Sequence, residues 1–266
     1  MAQPHENRIH QLEDFANKST LHQGRYGELV KGELSSSSSE TETKPALIGV
    51  PVTLKAQLGS PTAFAIGAFS TTFTTLSLSL MEWRGVTVTN VYIGNFFFAA
   101  GIGMVISAQW ELVLGNTYAY TVLSAFGFFY GGFGAIITPL FGVASSYGTD
   151  TVEYNNALGF FLILWAVWNL FFLIGSLPLN LVYIGIFFTV EMAFLLVAAA
   201  YFATADGHAT TATGLKKAGG AFAFIAGLLG YYTVANLMCQ EAMYFSFPMG
   251  DTSQFFQPRV KKDTSE

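Results

Sequence analysis

The stretch FFLILWAVWNLFFLI, residues 160–174, decides the fold class of this chain. It is apolar almost throughout, whereas a strand of a membrane β-barrel alternates apolar and polar residues over a shorter segment. With its flanks it reaches the length of about 20 apolar residues that an α-helix needs to cross the hydrocarbon core of a bilayer. The stretch therefore predicts a membrane-spanning helix.

Five further segments share this length and character. The six predicted spans cover residues 61–81, 91–109, 118–141, 157–176, 179–203 and 218–239. The loops between these spans are too short to hold a soluble domain. The sequence thus predicts an all-α membrane protein in which residues 57–240 form one six-transmembrane-helix bundle.

The charge distribution supports this fold class. Of the 266 residues, 52% are hydrophobic and 11% are charged, against about 25% charged residues in a soluble domain. No Lys or Arg lies between Gly85 and Leu215. The net charge of −5 leaves no basic face for nucleic acid.

Two polar tails flank the bundle. Residues 1–56 contain a run of serines at 35–39 and too little apolar surface to fold, so this tail is predicted to be disordered; residues 241–266 form the C-terminal tail. Six spans place both termini on one side of the membrane. The tails carry nine Lys and Arg, while the opposite loops carry only Arg84, Lys216 and Lys217. The positive-inside rule then predicts cytoplasmic termini.

The motifs of soluble enzymes are absent from the sequence. It contains no HExxH, CxxC, GxSxG or P-loop pattern, one cysteine, and four histidines that fall in the tail or in a loop. We therefore predict no catalytic activity, no cofactor and no metal site.

The first span begins with a favourable helix start. Ser60 is a preferred N-cap residue, and Pro61 suits the first helical position. The free N–H groups and the positive end of the dipole at such a start attract a carboxylate. The alternative interpretation is helix capping alone.

The same span is rich in hydroxyl side chains, among them Thr71, Thr72 and Thr75. Thr71 and Thr75 share one helix face, and Thr72 lies beside it. This face is predicted to line a polar pathway. Alternatively, the hydroxyls form hydrogen bonds to neighbouring helices and to their own backbone.

Glu191 is predicted to lie near the middle of the fifth span. A charged carboxylate there costs about 2.5–3.5 kcal/mol, and no Lys or Arg lies within the predicted spans to pair with it. Asn95, Asn169 and Asn236 are the polar candidates in other spans. Glu191 is interpreted as a proton-sensitive pore residue, with a protonated structural hydrogen-bond donor as the alternative.

Small residues recur at four-residue spacing in two spans. Gly127 and Gly131 share a face of the third span, and Gly219, Ala223 and Gly227 share a face of the sixth. Such stripes let helix backbones approach closely. They indicate either an oligomer interface or ordinary contacts inside the bundle.

Several local strings resemble the acetate uptake transporter family of fungal and bacterial acetate and succinate permeases. The strings are Ser60-Pro61-Thr62-Ala63-Phe64 with Phe69, Glu111 before Gly115-Asn116-Thr117-Tyr118, Trp165, and Phe247-Pro248-Met249-Gly250. The resemblance covers residues 57–250. It implies a six-helix protomer, a homo-hexamer and a substrate path through each protomer.

The resemblance also implies a constriction formed by Phe69, Phe126 and Val190. The family has a Tyr at the second position and a Leu at the third, so this constriction is expected to be more apolar than usual. Met104 stands where the family has a Gln, and Ser60 replaces the Asn of the family's opening motif.

Together, these features predict a plasma-membrane transporter or channel for acetate or a similar small monocarboxylate, linked to protons. Ser60 and Pro61 would receive the carboxylate, the threonines would bind it, and Glu191 would relay the proton. Two alternatives stay open. The first is export of ammonium or ammonia by a member of the same family, and the second is a membrane sensor of acetate that transports nothing.

Overall fold

The computed structural model describes residues 59–240, 245 and 247–256, which all belong to one compact unit, Val50–Glu266. The predicted disorder of residues 1–56 concerns a segment that lies outside the described residues. Among the described residues there are six helices that are long and apolar enough to cross a membrane, and no strand. The predicted fold class is thereby confirmed.

The six spans follow one another up and down through the bundle. They are α1 (Pro61–Leu80), a second span Asn90–Val113 that ends in α2 (Met104–Val113), α3 (Thr117–Ile137), α4 (Thr151–Ser176), α5 (Leu181–Ala205) and α6 (Ala209–Cys239). We call the end of the bundle where α1 begins the near end, and the end where α1 stops the far end.

The second span differs from a regular α-helix. Its segment Asn95–Gly103 is wound as a π-helix before α2 begins. Two glycines permit close approach here: a Cβ at Gly101 would lie 2.6 Å from the Phe96 carbonyl oxygen, and one at Gly103 would lie 2.7 Å from the Phe64 ring. Hydropathy alone predicted the span but contains no signal for this winding.

Two helix boundaries differ from the predicted ones for identifiable reasons. α3 stops at Ile137 because Pro139 follows, and the residue between them adopts an extended conformation. α6 begins at Ala209 and not at residue 218. The apolar part of the span begins after Lys217, but the helix continues beyond the apolar part and carries Lys216 and Lys217 at the far end.

The helices form a closed ring. α6 packs between α1 and α5, α4 packs on α5, and the second span packs between α1 and α3. Aromatic side chains bridge the remaining gap between α3 and α4: the ring centroids of Phe129 and Trp165 are 5.2 Å apart, and those of Phe126 and Phe172 are 5.9 Å apart. The axis of this ring is where a substrate path can run.

Most of the small residues in the two stripes lie in contacts inside the protomer, whereas Gly131 has open space at its Cβ position. A Cβ at Gly127 would lie 2.7 Å from Val105 of the second span, and one at Gly219 would lie 2.7 Å from Val197 of α5. Gly227 faces the Thr74 hydroxyl of α1. Helix packing inside the protomer thus accounts for Gly127, Gly219 and Gly227, and the predicted hexamer stays a prediction.

Part of the predicted C-terminal tail packs against the near end. The Gly250 carbonyl accepts a hydrogen bond from the Leu181 N–H at 2.8 Å, and the Thr252 hydroxyl donates to the Leu177 carbonyl at 2.6 Å. Gly250 has φ +70°, and a Cβ there would also collide with Leu181. This segment covers the turn between α4 and α5.

Candidate functional site

A small cavity on the axis of the ring brings together the three residues of the expected constriction. Phe69, Phe126 and Val190 all line it, and its volume is about 30 Å³, room for little more than one water molecule. The rings of Phe69 and Phe126 meet edge to face, with centroids 6.1 Å apart. We call this space the gate cavity.

The wall of the gate cavity is almost wholly apolar. Met104 from the second span and Phe187 from α5 face it, and among the described lining residues Tyr183 alone carries a hydroxyl group. The remaining lining residues are Ile66, Val122, Leu123 and Ile186. A charged group that enters this space loses its hydration and finds no counter-charge on the wall.

Two further cavities continue the path toward the far end. An inner cavity of about 40 Å³ begins at Phe73, whose ring centroid is 5.3 Å from that of Phe69. A larger space of about 320 Å³, which we call the far vestibule, opens beyond it. Val197 and Tyr201 line both the inner cavity and the far vestibule, so they form the wall between them.

At the near end, the helix start is present as predicted. Pro61 occupies the first turn of α1 and Ser60 the N-cap position, where its side chain makes no capping hydrogen bond. Ser60 is exposed and lies beside Trp110 and Leu114 in a surface groove of about 200 Å³. The Ser60 hydroxyl and the first N–H groups of α1 thus remain accessible for an anion.

The three candidate threonines have different surroundings, and none of them lines the cavities along the axis. Thr71 is exposed and its hydroxyl accepts a hydrogen bond from Tyr231 of α6 at 3.1 Å. Thr75 donates to the carbonyls of Thr71 at 3.0 Å and Thr72 at 2.9 Å. Thr72 is completely buried, and its hydroxyl has no partner within the described part of the chain.

Glu191 lies beside the path, between α4 and α5. It is 8% exposed, and its Oε2 atom accepts a hydrogen bond from the Asn169 amide at 2.8 Å. The same amide nitrogen donates to the Phe187 carbonyl at 3.0 Å, while the Asn169 Oδ1 atom has no partner among the described residues. Glu191 does not line the gate cavity, although Val190 does.

Comparison with known proteins now identifies the family. Residues 43–253 match the sequence model described as the GPR1/FUN34/yaaH family. The chain belongs to the GPR1/FUN34/yaaH family. This match covers well over half of the chain and confirms the resemblance that the motifs predicted. With the six apolar helices, it makes the chain a multi-pass membrane protein.

Individual relatives are similar to this chain over most of its length. The acetate transporter protein patA of Aspergillus clavatus is 54% identical over 84% of this chain and 89% of its own length. The patA protein of Penicillium expansum is also 54% identical, over 77% of this chain and 83% of its own length. The ammonia transport outward protein 2 of Saccharomyces cerevisiae is 29% identical, over 78% and 72% of the two chains.

A solved structure shares the fold. The bacterial acetate channel SatP matches with a TM-score of 0.63 and 23% sequence identity, over 73% of this chain and 100% of that chain. At this identity the likeness concerns the arrangement of the helices alone.

One residue at the near end has a more central position than the sequence predicted. Glu111 is 3% exposed; its carboxylate accepts hydrogen bonds from the Thr62 hydroxyl and, at 2.8 Å, from the Asn116 amide. Asn116 in turn caps α3 by accepting from the Ala119 N–H at 3.2 Å. Glu111 therefore ties together α1, the second span and α3. The only signal for it was its place in the family string before Asn116.

In the described ranges, no three His, Cys, Asp or Glu side chains lie close enough to hold an ion. The gate and inner cavities are lined by apolar side chains and tyrosines, and charged side chains line only the far vestibule among these three described spaces, so the site can sort small molecules by size, polarity and charge.

Proposed function

We propose that this member of the GPR1/FUN34/yaaH family is a plasma-membrane permease for acetate or a similar small monocarboxylate. The observation that carries the proposal is the convergence of Phe69, Phe126 and Val190 on one gate cavity of about 30 Å³. A constriction of this size suits a substrate of few heavy atoms. The two patA relatives, which are named as acetate transporters, support the choice of acetate.

The chemistry of the gate cavity favours passage of the substrate in its neutral form. Burying an ionised carboxylate without a partner costs far more than burying the neutral acid, and none of the described residues that line the gate cavity is a cation. The substrate would therefore cross as the acid, or together with a proton. This argument supports the proton-linked form of the proposal.

The roles of the other candidate residues follow from their present partners. Ser60 and Pro61 would receive the carboxylate at the near end, where the start of α1 is accessible. Thr72 is the threonine with an unpartnered hydroxyl, so a small rotation would let it meet the substrate. Thr71 and Thr75 would exchange their present hydrogen bonds for the substrate as it passes.

Glu191 would relay or sense the proton. It adjoins Val190 of the constriction and is held by the neutral donor Asn169, with no cation paired to it among the described residues. We expect Glu191→Gln, which keeps an oxygen for the Asn169 amide, to abolish the stimulation of uptake by an inward proton gradient. Glu153→Gln, an exposed acid at the far end, is the matched control. Unchanged stimulation in Glu191→Gln would remove Glu191 from the mechanism.

The proposed function is tested by uptake of labelled acetate into proteoliposomes that hold the purified protein, with and without an inward proton gradient. We expect saturable uptake that the gradient increases. Absence of uptake above that of empty liposomes, from protein shown to be folded and inserted, would exclude acetate permeation.

Export of ammonium is the second candidate, because a relative is named as an ammonia transport outward protein. Labelled methylammonium in the same proteoliposomes distinguishes the two, since only an ammonium exporter should move it. A sensor that transports nothing is distinguished by deleting residues 1–50: a permease core should keep its uptake.

The proposal includes cytoplasmic termini and assembly as a hexamer. Cys239, the single cysteine of the chain, lies at the near end and allows a test of sidedness. A maleimide that cannot cross membranes should label Cys239 only after the cells are opened. Thr211→Cys in a Cys239→Ala background, at the far end, should be labelled in intact cells. Light scattering of the detergent-solubilised protein measures the number of protomers.

A further inference from the structure

The far vestibule has an unusual charge arrangement. The described residues contain three Lys and Arg in all, and each of them lies at the far end: Arg84, Lys216 and Lys217. Lys216 is half-buried and lines the far vestibule together with one acid, Glu82. The vestibule is thus the place along the path where the described side chains offer a substrate a positive charge.

The acid in the far vestibule is already neutralised. The Lys217 Nζ atom lies 2.8 Å from the Glu82 Oε2 atom, while Lys216 makes no ion pair with any described residue. The hydrogen bond from Lys217 lowers the pKa of Glu82, against a smaller opposing effect of desolvation, and the charges of Lys217 and Lys216 lower it further. Glu82 and Lys217 cancel, and the charge of Lys216 is left facing the cavity.

The hydrogen-bond donors of the vestibule point to the same ligand chemistry. The hydroxyls of Thr204 and Thr213 already donate to carbonyls of their own helices, at 2.8 and 3.0 Å. Asn155 uses one of its two amide hydrogens on the Thr151 carbonyl, which leaves the other free. Lys216 and Asn155 can therefore donate to a carboxylate together. Charge-assisted hydrogen bonds of this kind are stronger than neutral ones.

We propose that the far vestibule is a carboxylate-binding site on the transport path, with Lys216 as its counter-charge. The inference rests on the proposed function, because it assigns the site to the same monocarboxylate. A volume of about 320 Å³ holds a small carboxylate and the waters that accompany it. Tyr201 and Val197 separate this site from the inner cavity. The anion would therefore bind in the vestibule in its hydrated form, before it enters the apolar inner cavity.

The Glu82–Lys217 pair has a defined part in this proposal. It keeps a carboxylate from repelling the substrate and from pairing with Lys216. The other described acids of the far end, Asp150, Glu153 and Asp206, are exposed outside the vestibule lining, where water and salt screen them. With cytoplasmic termini, the vestibule opens to the outside of the cell. An imported acid therefore reaches the vestibule first, and Ser60 and Pro61 receive it after it has passed the gate cavity.

Titration of ¹³C-labelled acetate into the full-length protein in lipid nanodiscs, followed by NMR, tests the site by equilibrium binding. We expect Lys216→Gln to weaken acetate binding roughly fivefold, the effect of one partly exposed charge pair, while Lys216→Arg retains it. Lys217→Gln should weaken binding as well, because it releases the Glu82 charge into the vestibule.

The double variant Glu82→Gln/Lys217→Gln is the matched control. It removes two charges at the same place but keeps the Lys216 charge, so it should restore acetate binding to within about twofold of the wild type. A structural role of Lys217 would not be rescued in this way. Equal binding by the wild type and Lys216→Gln, or failure of the double variant to recover, would overturn the proposal.

The outcome is separable from that of the proposed function. If the wild type binds acetate through Lys216 but shows no uptake in proteoliposomes, the binding site is supported and the permease function is rejected. If the wild type takes up acetate but Lys216→Gln does not change acetate binding, the permease function is supported and the binding site is rejected. Methylammonium uptake, if present, should not fall in Lys216→Gln; a parallel fall of both tracers would overturn the assignment of Lys216 to carboxylate binding.

Discussion

Two stripes of α1 differ in what they contact. Phe69 and Phe73 face the axis and line the gate cavity and the inner cavity, where they meet other apolar side chains. Ser70 and Thr74, each one position further along the helix, donate to carbonyls of α1 itself and pack against glycines of α6. The face that α1 turns to the gate and inner cavities is therefore apolar, and these hydroxyls serve close helix packing.

The difference follows from the size and polarity of the side chains. A hydroxyl that bonds to its own helix presents a small surface, so α6 can approach α1 closely at Gly227 and Gly230. Aromatic rings leave less open space and close the axis down to the volume of the gate cavity. One helix thus provides both the constriction and the tight contact that holds the constriction in place.

The largest expected effect comes from the axial stripe. Phe69→Ala removes a ring that is 6% exposed and packs against both Phe126 and Phe73. The gate cavity should widen, and discrimination against propionate relative to acetate should fall by about tenfold, since one methylene in a tight pocket is worth 1–3 kcal/mol. Competing uptake of the two labelled acids in proteoliposomes measures this ratio.

Phe64→Ala is the control for this change. Phe64 lies on the same helix, but it is 61% exposed and lies outside the gate cavity. Its removal should leave the ratio of propionate to acetate uptake unchanged. If Phe69→Ala also leaves the ratio unchanged while the protein remains folded, the constriction lies elsewhere.

The next effect concerns the packing stripe. A Cβ at Gly230 would collide with the Ser70 hydroxyl and lie 3.3 Å from the Phe69 ring. We expect Gly230→Ala to destabilise the protein by about 1–3 kcal/mol, as overpacking does in a tight core. Thermal unfolding of the purified protein in detergent measures the shift.

Gly131→Ala provides the matched comparison, because a Cβ at Gly131 meets no atom within 4 Å. In a helix interior this change should be neutral or stabilising by up to about 1 kcal/mol. Equal stability of Gly230→Ala and Gly131→Ala would contradict the close approach of α1 and α6. A selective loss of assembly in Gly131→Ala would instead place that face of α3 at an oligomer contact.

The sequence was sufficient for the six spans because lipid imposes a simple rule: long apolar helices with few charges. It was insufficient for the faces of α1. Phenylalanines and hydroxyl residues alternate around this helix, so no single side is plainly the polar one. The side of α1 that faces the axis depends on where α6 packs. Because this contact joins residues far apart in the chain, the local sequence does not predict it.

The two buried acids, Glu191 and Glu111, show the same contrast between what the sequence predicts and what only the packing of helices determines. The depth of Glu191 could be predicted from its place in an apolar span, but its partner Asn169 was one of three candidate asparagines and became evident only from the packing of α4 on α5. Glu111 stands near a span end, where a charge is unremarkable. Its burial follows from the donors Thr62 and Asn116, which the fold brings together from two other helices.

The smallest expected effect distinguishes two threonines of the hydroxyl-rich span. Thr72→Val removes a buried hydroxyl that has no partner among the described residues, so it should stabilise the protein by about 1 kcal/mol. Thr75→Val removes a hydroxyl that is bonded to its own helix backbone, and stability should change little. Thermal unfolding of both variants tests this contrast.

Acetate uptake by the same two variants decides what the Thr72 hydroxyl is for. An unpartnered buried hydroxyl lowers stability, so its presence in a native structure calls for an explanation. Contact with a ligand is one such explanation. If Thr72 contacts the substrate, Thr72→Val should be more stable and yet slower in uptake. Thr75→Val should slow uptake less and leave stability unchanged, because its hydroxyl must first give up its bonds to the helix backbone. A Thr72→Val protein that is more stable and takes up acetate as fast as the wild type would show that the Thr72 hydroxyl does not contact the substrate. The contribution of α1 to the path would then come from Phe69 and Phe73.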